Sequence, residues 1–200
     1  MTTNHDLMAN IATSLEHLQE SSAHSLPLLM SAAQLVCRTF LNNGKVFVCG
    51  LGPSAASALL LSGYWLNRYD IERPALPVIN LTDTTTMIAQ LGAETMSNDL
   101  FAKPIQAMAN AQDLLVVFNH HQSSNMVVQA IQSAHQRGLK VLAFSCQAGD
   151  DVSALLNGYD LELSAPEAGP FAIEAHTLMI HQLCRLVDQI LFLNPEPEHE

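Results

Sequence analysis

The chain has 200 residues, 48% of them hydrophobic and only 14% charged, which suits one domain with a sizeable core and excludes a chain disordered as a whole. A net charge of −11 with only 8 Lys and Arg excludes direct grip on a nucleic-acid backbone, which needs clustered cations. No apolar run reaches the ~20 residues that cross a membrane, and the N-terminal stretch lacks the basic and apolar regions of a signal peptide, so a cytoplasmic location is expected.

The first quarter reads as two helices. "DLMANIATSLEHLQESS" sets Leu7, Ile11, Leu15 and Leu18 on one apolar stripe. "SLPLLMSAAQLVCRTFLNNG" offers Ser25 as a cap, Pro27 in the first turn and Gly44 as a stop. Residues 1–44 are therefore expected to form a helical hairpin outside the main sheet, a natural surface for contacts between subunits. From Lys45 onward the short apolar runs "VFVC", "PVINL", "DLLVVF", "KVLAFS" and "DLEL" alternate with helical stretches over 54–67, 84–91, 99–110, 124–137 and 152–156. A long helix over 173–192 closes the chain. Such alternation predicts an α/β fold with a parallel sheet covered on both faces and ligands beyond the carboxyl ends of its strands. The whole of 1–194 reads as a single domain with its α/β core over 45–194, and the acidic 195–200 as a disordered tail. Cys37, Cys49, Cys146 and Cys184 have no metal-ligand spacing and are expected as buried, reduced thiols.

Two strand ends carry the chemistry. In "CGLGPSAAS", Gly50 and Gly52 permit a tight turn and Ser54 falls at the N-cap of the next helix, where free N–H groups and the helix dipole attract an anion. The spacing is neither a dinucleotide fingerprint nor a Walker loop, and small residues suit any strand-to-helix turn. In "FNHHQSSNMVVQAI", Ser123 or Ser124 caps the following helix, beside His120 and His121. Adjacent side chains on an extended backbone point apart, so the two imidazoles are not expected to chelate one ion, and both can simply face solvent. On the last helix Glu174 and His181 share a face, and His181 is expected to point inward, as a core histidine or a functional one.

These segments resemble the SIS (sugar isomerase) domain family, in its branch of phosphoheptose isomerases and the DnaA initiator-associating protein. The resemblance rests on the "CGxGxSA" loop over 49–55, "NRYDIERPALP" over 67–77, the serine loop, "IEAH" over 173–176 and "LCRLVDQILF" over 183–192, and the ERPxLP stretch of the second and the closing segment lean toward the initiator-associating branch. It implies a flavodoxin-like three-layer sandwich with a five-stranded parallel sheet, and a homotetramer with sites between subunits. The family's isomerases act on sedoheptulose 7-phosphate through an enediol, with a Glu base, a His partner, and a zinc set made of these two with a second His and a Gln.

Carried over by position, that second His falls on Leu60, the base on Tyr64, the Gln on Ile173, and only His181 matches. A Leu transfers no protons and a phenol is a poor base at neutral pH, so no zinc or other cofactor is expected. Phosphate contacts thin out too, since Pro53 lacks an N–H; Ser54, Gly52, Ser123, Ser124, His120 and His121 remain as an anion or phosphosugar site. The expectation is therefore a non-catalytic oligomeric scaffold that promotes assembly of a replication initiator protein. The alternatives are a phosphosugar isomerase, with a rearranged site drawing on Glu94, Glu174, His120 and His181, and a phosphosugar sensor without turnover.

Overall fold

Five short strands, each dominated by β-branched, aromatic and other apolar residues, form the centre of the molecule. They are β1 (Val46–Gly50), β2 (Val78–Asn80), β3 (Leu114–Phe118), β4 (Lys140–Cys146) and β5 (Leu161–Ala165). The computed structural model describes residues 4–83, 98–121, 124–147 and 151–193. Every pairing is parallel and the order is β2-β1-β3-β4-β5. β1 and β3 are buried along their whole length, which explains why they read as unbroken apolar runs rather than as alternations.

Side chains leave the sheet alternately up and down and build two cores. Val46, Val48, Val116 and Phe144 face one layer, made by α1 (Asn4–Leu41), α2 (Ser54–Leu66) and α5 (Pro170–Asp188). Phe47, Cys49, Leu115 and Val117 face the other, made by α3 (Ala102–Met108), α4 (Asn125–Gln136) and a short 3-10 turn, Val152–Leu155. This is the three-layer flavodoxin-like sandwich implied by the resemblance. A π-helical turn, Gln189–Leu193, extends α5. Among the described residues no helix is long and apolar enough to cross a membrane.

The N-terminal segment corrects the expected hairpin: residues 4–41 form one helix of 38 residues that runs straight through Pro27. Pro27 and Ala23, whose carbonyl loses its helical partner, both lie on the exposed side, where water can satisfy that carbonyl. On the inner side Ser21, Ser25, Leu29, Ala32, Ala33 and Val36 are buried in one continuous stripe. That stripe outweighs the break signal: Ser25 is no cap but packs against α5, its hydroxyl 3.7 Å from Met179 Sδ. All four cysteines are buried and none forms a disulfide. Burial pushes Cys49 up to about 12, and burial with the Asp188 charge does the same for Cys37. The helix expected over 84–91 and the tail over 195–200 lie outside the described residues.

Candidate functional site

In a 2-1-3-4-5 sheet the crossovers reverse direction between β1 and β3, and the crevice beyond their carboxyl ends is the favoured ligand position. Both serine loops open there. Gly50 ends β1 so close to the next helix that a Cβ would lie 2.3 Å from Ser54 O, and Gly52 turns the chain at φ +60. Thr82 fastens this turn, since its hydroxyl accepts from Gly50 N–H and donates to Gly50 O, each at 3.1 Å.

The N-cap of α2 is Pro53, not Ser54 as expected, and it makes no side-chain cap bond. Pro53 already has helical φ and ψ, so the helix begins one residue early and Ser54 enters its first turn. The buried Ser54 hydroxyl is thereby free to meet His120, with Oγ 2.8 Å from Nδ1. That contact joins the ends of β1 and β3. Ser124 caps α4, its hydroxyl accepting from Val127 N–H at 3.3 Å. α5 starts alongside, with Gly169 N–H donating to His120 O at 2.7 Å. The starts of α2 and α5 therefore meet at His120, and each favours negative charge.

His120 is half-buried and His121 exposed. Burial, and then the neighbouring His121, hold the His120 imidazole below its ordinary range, so it is neutral in the free protein at neutral pH. Ser123 and Glu94 lie outside the described residues. Glu174 is exposed.

The inward histidine of α5 is His176, not His181. His176 is fully buried and donates from Nε2 to Ser145 O at 2.9 Å. His181 is half-buried, five residues on and around the helix, and meets Tyr64 of α2 with Tyr64 Oη 3.2 Å from Nε2. Tyr69 stacks on the His181 ring with centroids 5.7 Å apart and 27° between planes, and stands edge-on to Tyr64 at 5.0 Å. Arg73 closes the end of α2, donating to Tyr64 O at 2.8 Å, to Trp65 O at 3.1 Å and to Asp188 at 2.7 Å. Arg73 and Asp188 lie within the "NRYDIERPALP" and "LCRLVDQILF" segments, but nothing in the sequence pairs them across 115 residues.

The implied zinc set does not fit this chain. Leu60 packs against the core beside Tyr64, and neither Leu60 nor Ile173 offers a ligand atom, which leaves one imidazole and a phenol. Among the described residues no three His, Cys, Asp or Glu side chains gather as a metal ion would require.

Residues 7–146 match the SIS domain family. The chain belongs to that family. A phosphoheptose isomerase of Chromohalobacter salexigens is 36% identical over 171 residues, 85% of this chain and 87% of that protein. One from Alkalilimnicola ehrlichii is 34% identical over 189 residues, 94% of this chain and 93% of that protein. The solved phosphoheptose isomerase of Francisella tularensis matches with a TM-score of 0.88 at 30% identity, covering 94% of this chain and 100% of that one. SIS relatives at 31–36% identity over most of this chain thus carry the name of an isomerase. These findings overturn the expected non-catalytic, initiator-associated scaffold and favour the catalytic alternative.

Proposed function

We propose that this SIS protein is an aldose–ketose isomerase of a sugar phosphate, with the phosphate anchored where β1 and β3 end. The Ser54–His120 contact of 2.8 Å carries this reading. It brings a buried hydroxyl and an imidazole together where the starts of α2 and α5 meet, in the crevice where the sheet order reverses. Ser124 and the first-turn amides of α2 and α4 complete the anchor, and His181 handles protons at the sugar's reactive end, without a metal. Ser54 and Tyr64 stand ten residues apart on α2, about 15 Å along its axis, so anchor and proton-handling group are separate regions of one chain. A homotetramer with sites between its copies, as the family resemblance implies, supplies the match between them. The exposed apolar side chains of Leu7, Met8, Ile11 and Leu15 on α1 and Leu59 and Leu66 on α2 support assembly.

The test is turnover of sedoheptulose 7-phosphate by the full chain, alongside thermal shift and light scattering. Isomerisation that is lost in His181→Ala, and a melting temperature raised by the sugar phosphate in the parent but not in Ser54→Ala, are expected. A stable tetramer that neither binds nor converts the sugar would refute the proposal. Apolar Leu60 and Ile173 favour a second reading, a phosphosugar sensor, for which the same assay would show binding without turnover.

A further inference from the structure

The side chain of Tyr64 is not a base, but it is placed as an acid. Its Oη lies 3.2 Å from His181 Nε2, both groups are half-buried and reachable, and each comes from a separate helix. Their mutual position is over-determined. Tyr69 covers the His181 ring. Arg73 holds the Tyr64 carbonyl at one end and Asp188, on the same helix as His181, at the other. Asp188 is seven residues, two turns, beyond His181 and so on the same face of α5. This brace ties the two proton-bearing groups together through hydrogen bonds as well as through packing.

We infer that Tyr64 is the general acid that works opposite His181 in the isomerisation, an assignment that rests on the isomerase reading given above. A neutral His181 that carries its proton on Nδ1 presents a bare Nε2, to which Tyr64 donates when no sugar is present. An acid and a base about one hydrogen bond apart can address two adjacent atoms of one substrate, the carbonyl oxygen and the hydrogen-bearing carbon beside it.

The step balances without a metal or a redox partner. His181 Nε2 takes the proton from the carbon. The C–H electron pair becomes the new C=C bond, and the carbonyl oxygen takes the Tyr64 proton to give an enediol. In the second half the phenolate recovers a proton from the other hydroxyl, and the imidazolium returns its proton to the other carbon. Both side chains end as they began. Proton transfer of this kind contributes typically ~10²–10⁴-fold to rate.

The experiment follows sedoheptulose 7-phosphate with the full chain in deuterated water, reading kcat, KM and deuterium uptake into the recovered sugar. The parent should incorporate deuterium as it turns over. Tyr64→Phe should lower kcat by about 10²–10³-fold with little change in KM, and should slow deuterium uptake in step. Fluorotyrosine incorporated at position 64, which preserves the ring, the fold and the acidic O–H, should keep the turnover that Tyr64→Phe loses. A Tyr64→Phe protein that melts like the parent and keeps its kcat and its deuterium uptake would overturn the acid assignment while leaving the isomerase reading intact. Absence of both turnover and deuterium uptake in the parent, with the sugar still bound, would overturn the isomerase reading and the acid assignment with it.

Discussion

His176 donates its Nε2 proton to the carbonyl of Ser145 at 2.9 Å, fully buried between the layers, and its Nδ1 finds no hydrogen-bond partner among the described residues. Phe144 stands edge-on to the ring at 5.8 Å and Phe118 lies tilted at 6.1 Å. The carbonyl fixes the tautomer, because it can only accept.

That burial makes stability depend on pH. Desolvation lowers the folded-state pKa of His176 from 6.5 to about 4, against the Ser145 bond that favours charge and with a smaller push from His120 in the same lowering direction. Between those values the unfolded chain binds a proton that the folded chain refuses. The contribution is fully present above about pH 6.5 and drains away as pH falls toward 4, amounting to about 3 kcal/mol at most. His120, also lowered, pulls the same way. Urea unfolding from pH 4.5 to 7.5 should show stability rising with pH, and His176→Phe should flatten that rise. A variant whose slope equals the parent's would contradict this origin.

The Arg73–Asp188 pair holds α2 to α5, with side chains 1% and 4% exposed. Removing one partner strands the other charge in a dry place, so Asp188→Ala should cost about 3–5 kcal/mol. Replacing both with apolar residues should restore part of that stability, because no buried charge is then left alone. Equilibrium unfolding of Asp188→Ala and of Arg73→Met/Asp188→Ala measures both effects. Equal losses in the two proteins would show that the Arg73 bonds to the Tyr64 and Trp65 carbonyls carry the stability instead.

The two glycines of the first loop should behave differently. At Gly50 an added Cβ would lie 2.3 Å from Ser54 O, a backbone atom that cannot step aside without shifting the start of α2. At Gly52 none of the described residues lies within 4 Å of an added Cβ, and the positive φ of +60 is what opposes a side chain. Gly50→Ala should therefore abolish sulfate binding and destabilise the fold, whereas Gly52→Ala should cost about 1–2 kcal/mol and weaken binding only modestly. Thermal shift with and without sulfate distinguishes them, and similar losses at both positions would refute the close-approach argument.

Much of this was legible in the chain because it depends on local patterns. Unbroken apolar runs such as "LLVVF" mark strands buried on both faces, and their alternation with helices sets the parallel sheet. Of the two serine loops only the Ser124 cap was legible; Ser54 was misplaced as a cap because Pro53 already has helical φ and ψ. Contacts between distant elements were not legible. Pro27 reads as a helix start, and only the buried stripe that α1 packs against α5 carries the helix past it. His181 and His176 have similar apolar neighbours in sequence, so their inward and outward roles depend on where Phe118, Phe144 and Tyr64 arrive from other elements. The Tyr64 position looked like the loss of a base, and its hydrogen bond to His181 turns it into a candidate acid. The scaffold expectation failed for a related reason: it read missing family residues as missing chemistry.

The anchor itself should be proton-coupled. In the free protein burial and His121 keep the His120 imidazole neutral, while its Nδ1 lies 2.8 Å from the Ser54 hydroxyl. An anion at the converging helix starts favours the imidazolium and raises the pKa of His120, so binding takes up a proton and affinity must increase as pH falls. With one proton involved, the steepest part approaches about ten-fold per pH unit. Sulfate is the suitable probe because it keeps its double charge throughout this range, so the slope belongs to the protein. Calorimetric titrations between pH 5.5 and 8 should show tightening toward acid, and His120→Gln should lose the slope because its amide does not titrate. A slope that survives in His120→Gln would refute the assignment of the coupled proton to His120.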